Sequence, residues 1–161
     1  MFFPDARTLD SSASICFGQS GLTQSGTPLI SASQVAVPTA LWVTQAGDLF
    51  IAQEGTERIS LFFQGGNSPT QNDIPANVIF GQPNSTITVS GVFLHLNSLF
   101  FDEETGNLWA VDSSGNTIVR FTNALIQTAP VPTATASVSF PDRNPNALFA
   151  PTSKNPQRIS S

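Results

Sequence analysis

The sequence contains an internal repeat, and this feature limits the chain to folds that stack small, similar units. The segment ALWVTQAGDLFIAQEGTERISLFFQ at 40–64 aligns with SLFFDEETGNLWAVDSSGNTIVRFTN at 98–123, with one extra residue in the first turn. Leu49 and Leu108 match at an interval of 59 positions. A short unit that recurs in this way cannot bury its apolar faces alone, so neighbouring units must cover them.

A shorter match precedes each copy. SICFGQSG at 14–21 matches NVIFGQPN at 77–84, so the unit is a strand ending in Phe-Gly-Gln, a long polar loop and three strands joined by short turns. A weaker third copy follows in ASVSFPDRNPNALFAPTSKNPQRIS at 136–160, but its interval from the second copy is 40 residues. The repeat units therefore run, within a single domain 1–161, over about 14–63, 77–123 and, in degenerate form, 136–161.

The secondary structure is expected to be almost entirely β. No window of about a dozen residues keeps a helical apolar stripe without an interrupting Gly or Pro. Short apolar or alternating runs bounded by turn residues recur instead, as is typical of all-β domains. The chain has 13 Phe and no Tyr, and Phe suits buried positions that offer a hydroxyl group no partner. The predicted strands are 15–19, 40–44, 48–53, 58–63, 77–82, 98–102, 107–112 and 117–122.

Four-stranded antiparallel units repeated every 40 to 60 residues or so indicate the blades of a β-propeller. The first blade is expected to combine strands 15–19, 40–44, 48–53 and 58–63, and two similar sets follow. This gives about three blades, whereas closed propellers have ~4–8. We therefore expect a fragment of a longer propeller, or a protomer that completes a ring or an open array with copies of itself. Unpaired strand edges would favour such self-association.

Two segments resemble the NHL repeat. GNLWAVDSSGNTIVRF and GDLFIAQEGTERISLF are similar to its pattern of a Gly-Asn or Gly-Asp turn, an apolar strand, a second turn and an Arg-Ile strand. VIFGQPN and ICFGQSG resemble the Gly-Gln-Pro linker strand between long-form repeats of bacterial NHL proteins. The resemblance covers 14–123 well and 136–161 loosely. It implies a propeller that binds proteins, glycans or RNA.

The resemblance implies structural roles for several repeat residues. In the family, the Asp after the apolar strand often pairs with an Arg in the next strand. No copy here has both residues, because Arg58 follows Gln53, Asp112 precedes Thr117, and the third copy keeps only Arg158. We interpret Asp112, Arg58 and Arg158 as blade-stabilising or turn-capping residues rather than ligand contacts. The linker-strand positions that share this structural interpretation are Gly18, Gln19, Gly81 and Gln82.

The composition argues against two classes of partner. Charged residues make up 11% of the chain, the formal net charge is −5, and the six Lys and Arg residues are scattered. Phosphate binding needs clustered Lys and Arg, so we expect no nucleic-acid partner and no use of the RNA-binding branch of the family. No stretch approaches the ~20 apolar residues of a membrane span, so none is expected.

Few residues are suited to catalysis or metal binding. His95 is the single histidine and Cys16 the single cysteine, so a zinc site of the usual kind cannot form. The run Asp102-Glu103-Glu104 is interpreted as a solvated turn, with a calcium site as the alternative. No Gly-x-Ser-x-Gly or phosphate-binding loop is present. We expect no catalytic residue, no cofactor and no metal.

Asn84, Ser85 and Thr86 form an N-glycosylation acceptor sequence in the loop after Gly81-Gln82-Pro83. If the chain is secreted by a eukaryote, Asn84 is expected to be exposed and available for a glycan.

These observations favour a non-enzymatic repeat scaffold that binds protein or glycan partners, or further copies of itself. The incomplete number of blades is the support for a place in an extracellular assembly or filament. The alternative is a part of a larger propeller enzyme, a lyase or hydrolase with a metal in the central channel. That alternative needs several His or acidic residues to converge, and this chain supplies one His.

Overall fold

The computed structural model describes residues 15–23, 30–63, 71–86, 93, 95–131 and the backbone of 136–139. This part of the chain is built from strands and turns, with one short 3-10 helix. The strands are β1 (Pro38–Val43), β2 (Leu49–Gln53), β3 (Arg58–Phe62), β4 (Val78–Phe80), β5 (Leu96–Asp102), β6 (Asn107–Asp112), β7 (Thr117–Phe121) and β8 (Ala136–Ser139), and the 3-10 helix is η1 (Ala124–Ile126).

The eight strands form two four-stranded antiparallel sheets. Each sheet keeps the order of the chain, β1-β2-β3-β4 in the first and β5-β6-β7-β8 in the second. Short turns join the first three strands of each sheet, and a longer connection leads to the fourth. This is the topology of β-propeller blades. The described part of the chain is therefore an all-β partial propeller with two blades.

The fourth strand of the first sheet differs from the sequence expectation. Strand β4 pairs with β3, with Ile79 opposite Ser60. Residues 15–19 were expected in this blade, but they form no strand there, and Gly18 makes an isolated bridge with Gln34. They contact a face of the sheet instead, where Phe17 packs edge-on against Phe62 with ring centroids 5.0 Å apart. The expected strand set was wrong because the free edge of β3 is filled by the downstream Phe-Gly-Gln segment.

The second sheet shows the same offset. Strand β8 pairs with β7, with Val138 opposite Ile118. The first residues of the predicted third repeat thus supply the last strand of the second sheet. Residues 140–161 lie outside the described residues, so a third blade stays a prediction.

One apolar core fills the space between the facing sides of the two sheets. Phe50 stacks on Phe101 with ring centroids 5.3 Å apart, and Phe80 packs edge-on against Phe121 at 5.2 Å. Phe93, just before β5, is also fully buried and lies 6.0 Å from Phe121. These rings bury large apolar areas, which is the main favourable term in folding. Phenylalanine suits these positions because a buried ring without a hydroxyl group needs no hydrogen-bond partner.

The segment that precedes β1 covers the far side of β2 and β3 in the first sheet. The Ala36 N–H donates to Oε1 of Gln53 at 2.9 Å, and Nε2 of Gln53 donates to Oγ of Ser60 at 2.6 Å. Because one side faces the core and the other faces this segment, every residue of β3 is buried. Polar side chains on β3 must therefore find partners inside the protein.

A later segment pairs with the outer edge of the first sheet. The Val131 N–H donates to the Ile79 carbonyl, and the Gly81 N–H donates to the Val131 carbonyl, both at 2.8 Å. Val131 and Phe80 form a parallel bridge. The outer edge of β4 is therefore hydrogen-bonded rather than open.

Candidate functional site

Arg58 is the most deeply buried charged residue of the described chain. It begins β3, directly after the turn from β2. Its Nη2 donates to the carbonyls of Ser31 at 2.7 Å and Gln34 at 2.9 Å, and its Nη1 donates to the carbonyl of Ser85 at 2.9 Å. Arg58 thereby fastens the segment before β1 and the loop after β4 to the start of β3.

The electrostatics of Arg58 differ from the family pattern. Among the described residues no carboxylate lies within ion-pair distance of its guanidinium, and main-chain carbonyls take that place. Desolvation by burial lowers the pKa of Arg58, although arginine stays protonated in proteins. Its Nε is buried without a partner. The guanidinium is directed at main-chain carbonyls of its own chain, which supports the structural interpretation.

Asp112 ends β6 and is almost fully buried. Its Oδ1 accepts from the N–H of His95 at 2.9 Å and from the N–H of Gly115 at 3.0 Å. The carbonyl of His95 accepts from the Ser113 N–H at 3.0 Å. Asp112 therefore closes the β6–β7 turn and holds the start of β5 beside it.

Gln53 occupies the position of Asp112 in the first sheet and makes an equivalent contact. Its Oε1 accepts from the Ala36 N–H just before β1 and from Oγ1 of Thr56 in the β2–β3 turn. The Val37 carbonyl accepts from the Glu54 N–H, as the His95 carbonyl accepts from Ser113. The longer side chain of Gln reaches one residue further back along the chain. The sequence pattern asks for Asp at this position, so Gln53 was interpreted as a departure from it. An amide oxygen nevertheless accepts hydrogen bonds as a carboxylate oxygen does.

The two Phe-Gly-Gln glycines share one backbone conformation. Gly18 has φ +83° and Gly81 has φ +86°, both in the left-handed region that favours glycine. A Cβ at Gly18 would lie 2.5 Å from Cβ of Val35, and a Cβ at Gly81 would overlap the ring of Phe93. Both positions therefore need glycine for backbone conformation and for close packing.

The glutamines after these glycines are in different surroundings. Gln82 is fully buried, and its Nε2 donates to the Glu57 carbonyl at 3.0 Å. Gln19 is partly exposed, and its carbonyl accepts from Sγ of Cys16 at 3.3 Å. Arg158, the third of the predicted charged repeat residues, lies outside the described residues.

His95 connects the two sheets. Its Nδ1 lies 2.6 Å from Oε1 of Glu54 in the β2–β3 turn, and both side chains are about one-third exposed. His95 therefore contributes a contact at the junction between the sheets. The sequence carried no signal for the Glu54 contact, because the two residues belong to different repeats.

The acidic run after β5 is engaged in turn contacts. The Thr105 hydroxyl donates to Oδ2 of Asp102, and the N–H groups of Glu104 and Thr105 donate to its Oδ1. Glu103 Oε1 accepts from the Gln45 N–H at 2.9 Å and links this turn to the β1–β2 turn. The hydrogen bond from the Thr105 hydroxyl is the largest cause that lowers the pKa of Asp102, desolvation opposes it, and the two N–H groups add to it.

Replacing Thr105 with valine should raise the pKa of Asp102 towards the ordinary aspartate value of about 3.9. The lowered pKa in the folded state stabilises the fold above the unfolded-state pKa, and this contribution is lost as the pH falls through the folded-state pKa. Thr105→Val should therefore be less stable than wild type at neutral pH. The difference should shrink in acid, where only the lost hydrogen bond from Nδ2 of Asn107 to Oγ1 of Thr105 remains. A carboxyl NMR titration measures the pKa directly. Thr105→Ser keeps the hydroxyl and is the control, and an unchanged pKa in Thr105→Val would contradict the assignment.

Asn84 lies at the half-buried tip of the loop that Arg58 anchors through Ser85. Its Oδ1 accepts from the Thr86 N–H at 2.9 Å and from Oγ1 of Thr86 at 3.0 Å. This is a local turn stabilised by the side chain. Glycosylation of Asn84 stays a prediction.

The described residues contain no group of three or more His, Cys, Asp or Glu side chains placed to hold a metal ion. Within the same part of the chain, no helix has the length and apolar character to cross a membrane. Arg58 begins β3 and Gln82 donates to the carbonyl of the preceding residue, Glu57, so these two predicted repeat residues lie close together. Asp112 lies apart from them at the end of β6 in the second sheet. The side-chain hydrogen bonds described for these three residues involve main-chain groups.

Neither a protein-family model nor a curated protein matches this chain. Among solved structures, virginiamycin B lyase from Staphylococcus aureus is similar at 16% sequence identity, with a TM-score of 0.42. The match covers 71% of this chain and 30% of that chain, so this chain spans less than a third of the length of that structure. The strand pairing within the chain itself carries the fold assignment: two consecutive four-stranded blades of an all-β partial propeller.

Proposed function

We propose that this chain is a non-enzymatic repeat scaffold of the NHL type that associates with further copies of itself and binds protein or glycan partners. The observation that carries the proposal is that polar side chains at equivalent positions of the repeat bind main-chain groups of their own sheet. Asp112 and Gln53 end the second strands of their sheets, and each accepts a main-chain N–H from just before the first strand. The repeat thus uses its polar side chains to build blades.

The assignment to the NHL type is supported by the linker-strand glycines. Gly18 and Gly81 follow Phe in the same short motif and have nearly the same positive φ. Gln82 and Arg58 bind main-chain carbonyls around that motif. A shared backbone conformation at equivalent positions is what true repeats of one structural unit should have.

Self-association is supported by the apolar surface left on the described sheets. Exposed large hydrophobic side chains occur on both β1 and β5. Clustered exposed apolar residues commonly mark interaction sites. An extracellular place for the assembly is part of the proposal and fits a surface with few charged groups.

Sedimentation velocity and electron microscopy of the purified full chain test this function. The expected result is a discrete species several times heavier than the 17.1 kDa chain. A monodisperse monomer at every concentration would contradict self-association. Metal analysis of the same sample distinguishes the scaffold from the enzyme alternative, because stoichiometric calcium or zinc would favour a catalytic propeller.

A further inference from the structure

The two sheets contact each other through one interface, and the two contacting faces carry different residues. The face of the first sheet, one half of the interface, contains Trp42, Phe50 and Ala52. The second sheet contributes a half in which β5 lies against β1 and β2, with Leu99 and Phe101 directed at the first sheet. The contact between the sheets is thus closest along the first strand of each.

The repeat places a copy of each half on the outside of the molecule. Leu41 and Val43 occupy in β1 the positions that Leu99 and Phe101 occupy in β5, as the sequence alignment gives them. They lie on the side of β1 away from the second sheet and are 67% and 55% exposed. We name these two residues the β1 patch.

The other half recurs on the far side of the second sheet, where Trp109 and Val111 occupy the positions of Phe50 and Ala52 on one face of β6. Phe100, at the position of Trp42, lies at the β5 edge of this face, and its ring packs edge-on against Trp42 of the same chain with ring centroids 5.2 Å apart. Ile118 and Arg120, opposite Val111 and Trp109 on β7, complete this β5–β7 face. Phe100 is 52% exposed and Val111 36% exposed. The Arg120 guanidinium lies over the Trp109 ring at 5.4 Å, and this cation–π contact stabilises the Arg120 charge at the face.

We propose that a second copy of this chain docks head to tail, with the β1 patch of one copy on the β5–β7 face of the next. This inference rests on the proposed self-association and names its surfaces. The docked pair would reproduce the interface that each chain already makes between its own sheets. The two surfaces lie on opposite sides of the molecule, so every copy keeps one of each and the interface is heterologous.

The covering of the first sheet fits this arrangement. The segment before β1 reaches the far side of β2 and β3 through Phe17, Ala36 and the carbonyls that Arg58 binds, but it leaves Leu41 and Val43 exposed. Inside the molecule, too, the sheets are closest at their first strands while loop residues such as Phe93 fill the core beside the outer strands. The surface left open on the first sheet is therefore the part that the internal interface uses most.

Head-to-tail docking also sets the size of the assembly. If each new contact repeats the internal rotation between sheets, the ring closes at the ~4–8 blades of propellers. With two described sheets per chain, closure takes two to four copies. The closed species should have a mass of about 34 to 68 kDa from a 17.1 kDa chain.

Two variants test the docking surfaces separately. Leu41→Asp places a charge in the β1 patch and Val111→Asp places one in the β5–β7 face, and each should raise the dissociation constant at least about tenfold because the carboxylate would be buried unpaired. Ile126→Asp is the matched control, since Ile126 is 74% exposed on η1 and belongs to neither surface. Ile118→Asp is a second variant of the β5–β7 face in case Val111→Asp does not fold, because Ile118 lies opposite Val111. Circular dichroism checks folding in each case.

The decisive measurement is a mixture of the two variants. Each alone should sediment as a monomer, but Leu41→Asp keeps an intact β5–β7 face and Val111→Asp keeps an intact β1 patch. An equimolar mixture should therefore form a dimer with one chain of each and stop there. A mixture that stays monomeric would overturn head-to-tail docking, and a single variant that still forms a dimer would favour contact between like surfaces.

The other outcomes separate this inference from the proposed function. Assembly that persists in both single variants would overturn the docking surfaces while leaving self-association in place. A wild-type chain that is monomeric throughout would overturn both. If the Ile126→Asp control also fails to assemble, the assignment of the docking contact to the β1 patch and the β5–β7 face would be overturned.

Discussion

Replacing Arg58 with methionine is expected to lower the free energy of unfolding by about 3 kcal/mol. Methionine keeps much of the side-chain length, so the loss comes mainly from the hydrogen bonds to the carbonyls of Ser31, Gln34 and Ser85. These carbonyls are only partly buried, so each one left without a donor should cost about 1 kcal/mol, the lower end of the range for a buried group. Removal of a buried charge offsets part of the total. Denaturant unfolding of variant and wild type in the same oligomeric state measures the difference.

Arg120→Met is the matched control for Arg58→Met. Arg120 is only partly buried and lies over the Trp109 ring, a contact that contributes about 1 kcal/mol or less. Arg58→Lys should give an intermediate loss, because a compact ammonium group cannot reach three carbonyls as a guanidinium fork does. Equal losses in Arg58→Met and Arg120→Met would show that the three carbonyl contacts do not stabilise the fold.

Gly81→Ala should destabilise the fold by about 3 kcal/mol or more. A residue with a Cβ at φ +86° is strained by about 1–2 kcal/mol. The new methyl group would also lie 2.7 Å from Cδ2 of Phe93, and closer still to Cε2, in a core where that ring is fully buried. Overpacking of a filled core adds about 1–3 kcal/mol. Thermal or denaturant unfolding measures the sum.

Gly106→Ala separates the two causes of the Gly81 effect. Gly106 also has a positive φ, +69°, but a Cβ there would meet only the Cα of Asn123, at 3.9 Å. Gly106→Ala should therefore lower the free energy of unfolding by the backbone strain alone, about 1–2 kcal/mol. The double variant Gly81→Ala/Phe93→Ala should lose less unfolding free energy than the two single variants lose in total. The reason is that the new methyl group can occupy the space vacated by the Phe93 ring. Equal losses at Gly81 and Gly106 would mean that packing against Phe93 contributes nothing.

The strands themselves could be predicted from the sequence because their signal is local. Alternating apolar residues between turn residues placed β6 at 107–112, as in the structure, and β2 within one residue. The repeat also predicted sheets of four antiparallel strands. What it did not predict is the sheet to which each Phe-Gly-Gln segment belongs. Strand pairing is decided by main-chain hydrogen bonds between residues that are distant in sequence. The sequence of a short apolar strand such as β4 therefore does not indicate which strand it pairs with.

The partners of the polar residues were predicted less well for a similar reason. The family pattern suggested a carboxylate for Arg58, but its partners are carbonyls of Ser31, Gln34 and Ser85, and a carbonyl exists at every residue. Gln53 was counted as a departure from the Asp of the pattern, although its side-chain oxygen accepts the corresponding hydrogen bond. Residue type alone predicted that these positions are structural, and only the structure identifies what they bind.

The pairing of Val131 with β4 has a consequence for how the chain folds. The first sheet ends in sequence at Phe80, yet the hydrogen bonds on its outer edge come from a residue that follows β7. Three strands of the second sheet are therefore already synthesised before the first sheet can be completed. Sheets linked in this order should fold and unfold as one cooperative unit rather than blade by blade. The smallest autonomous folding unit of this chain is then the pair of blades together.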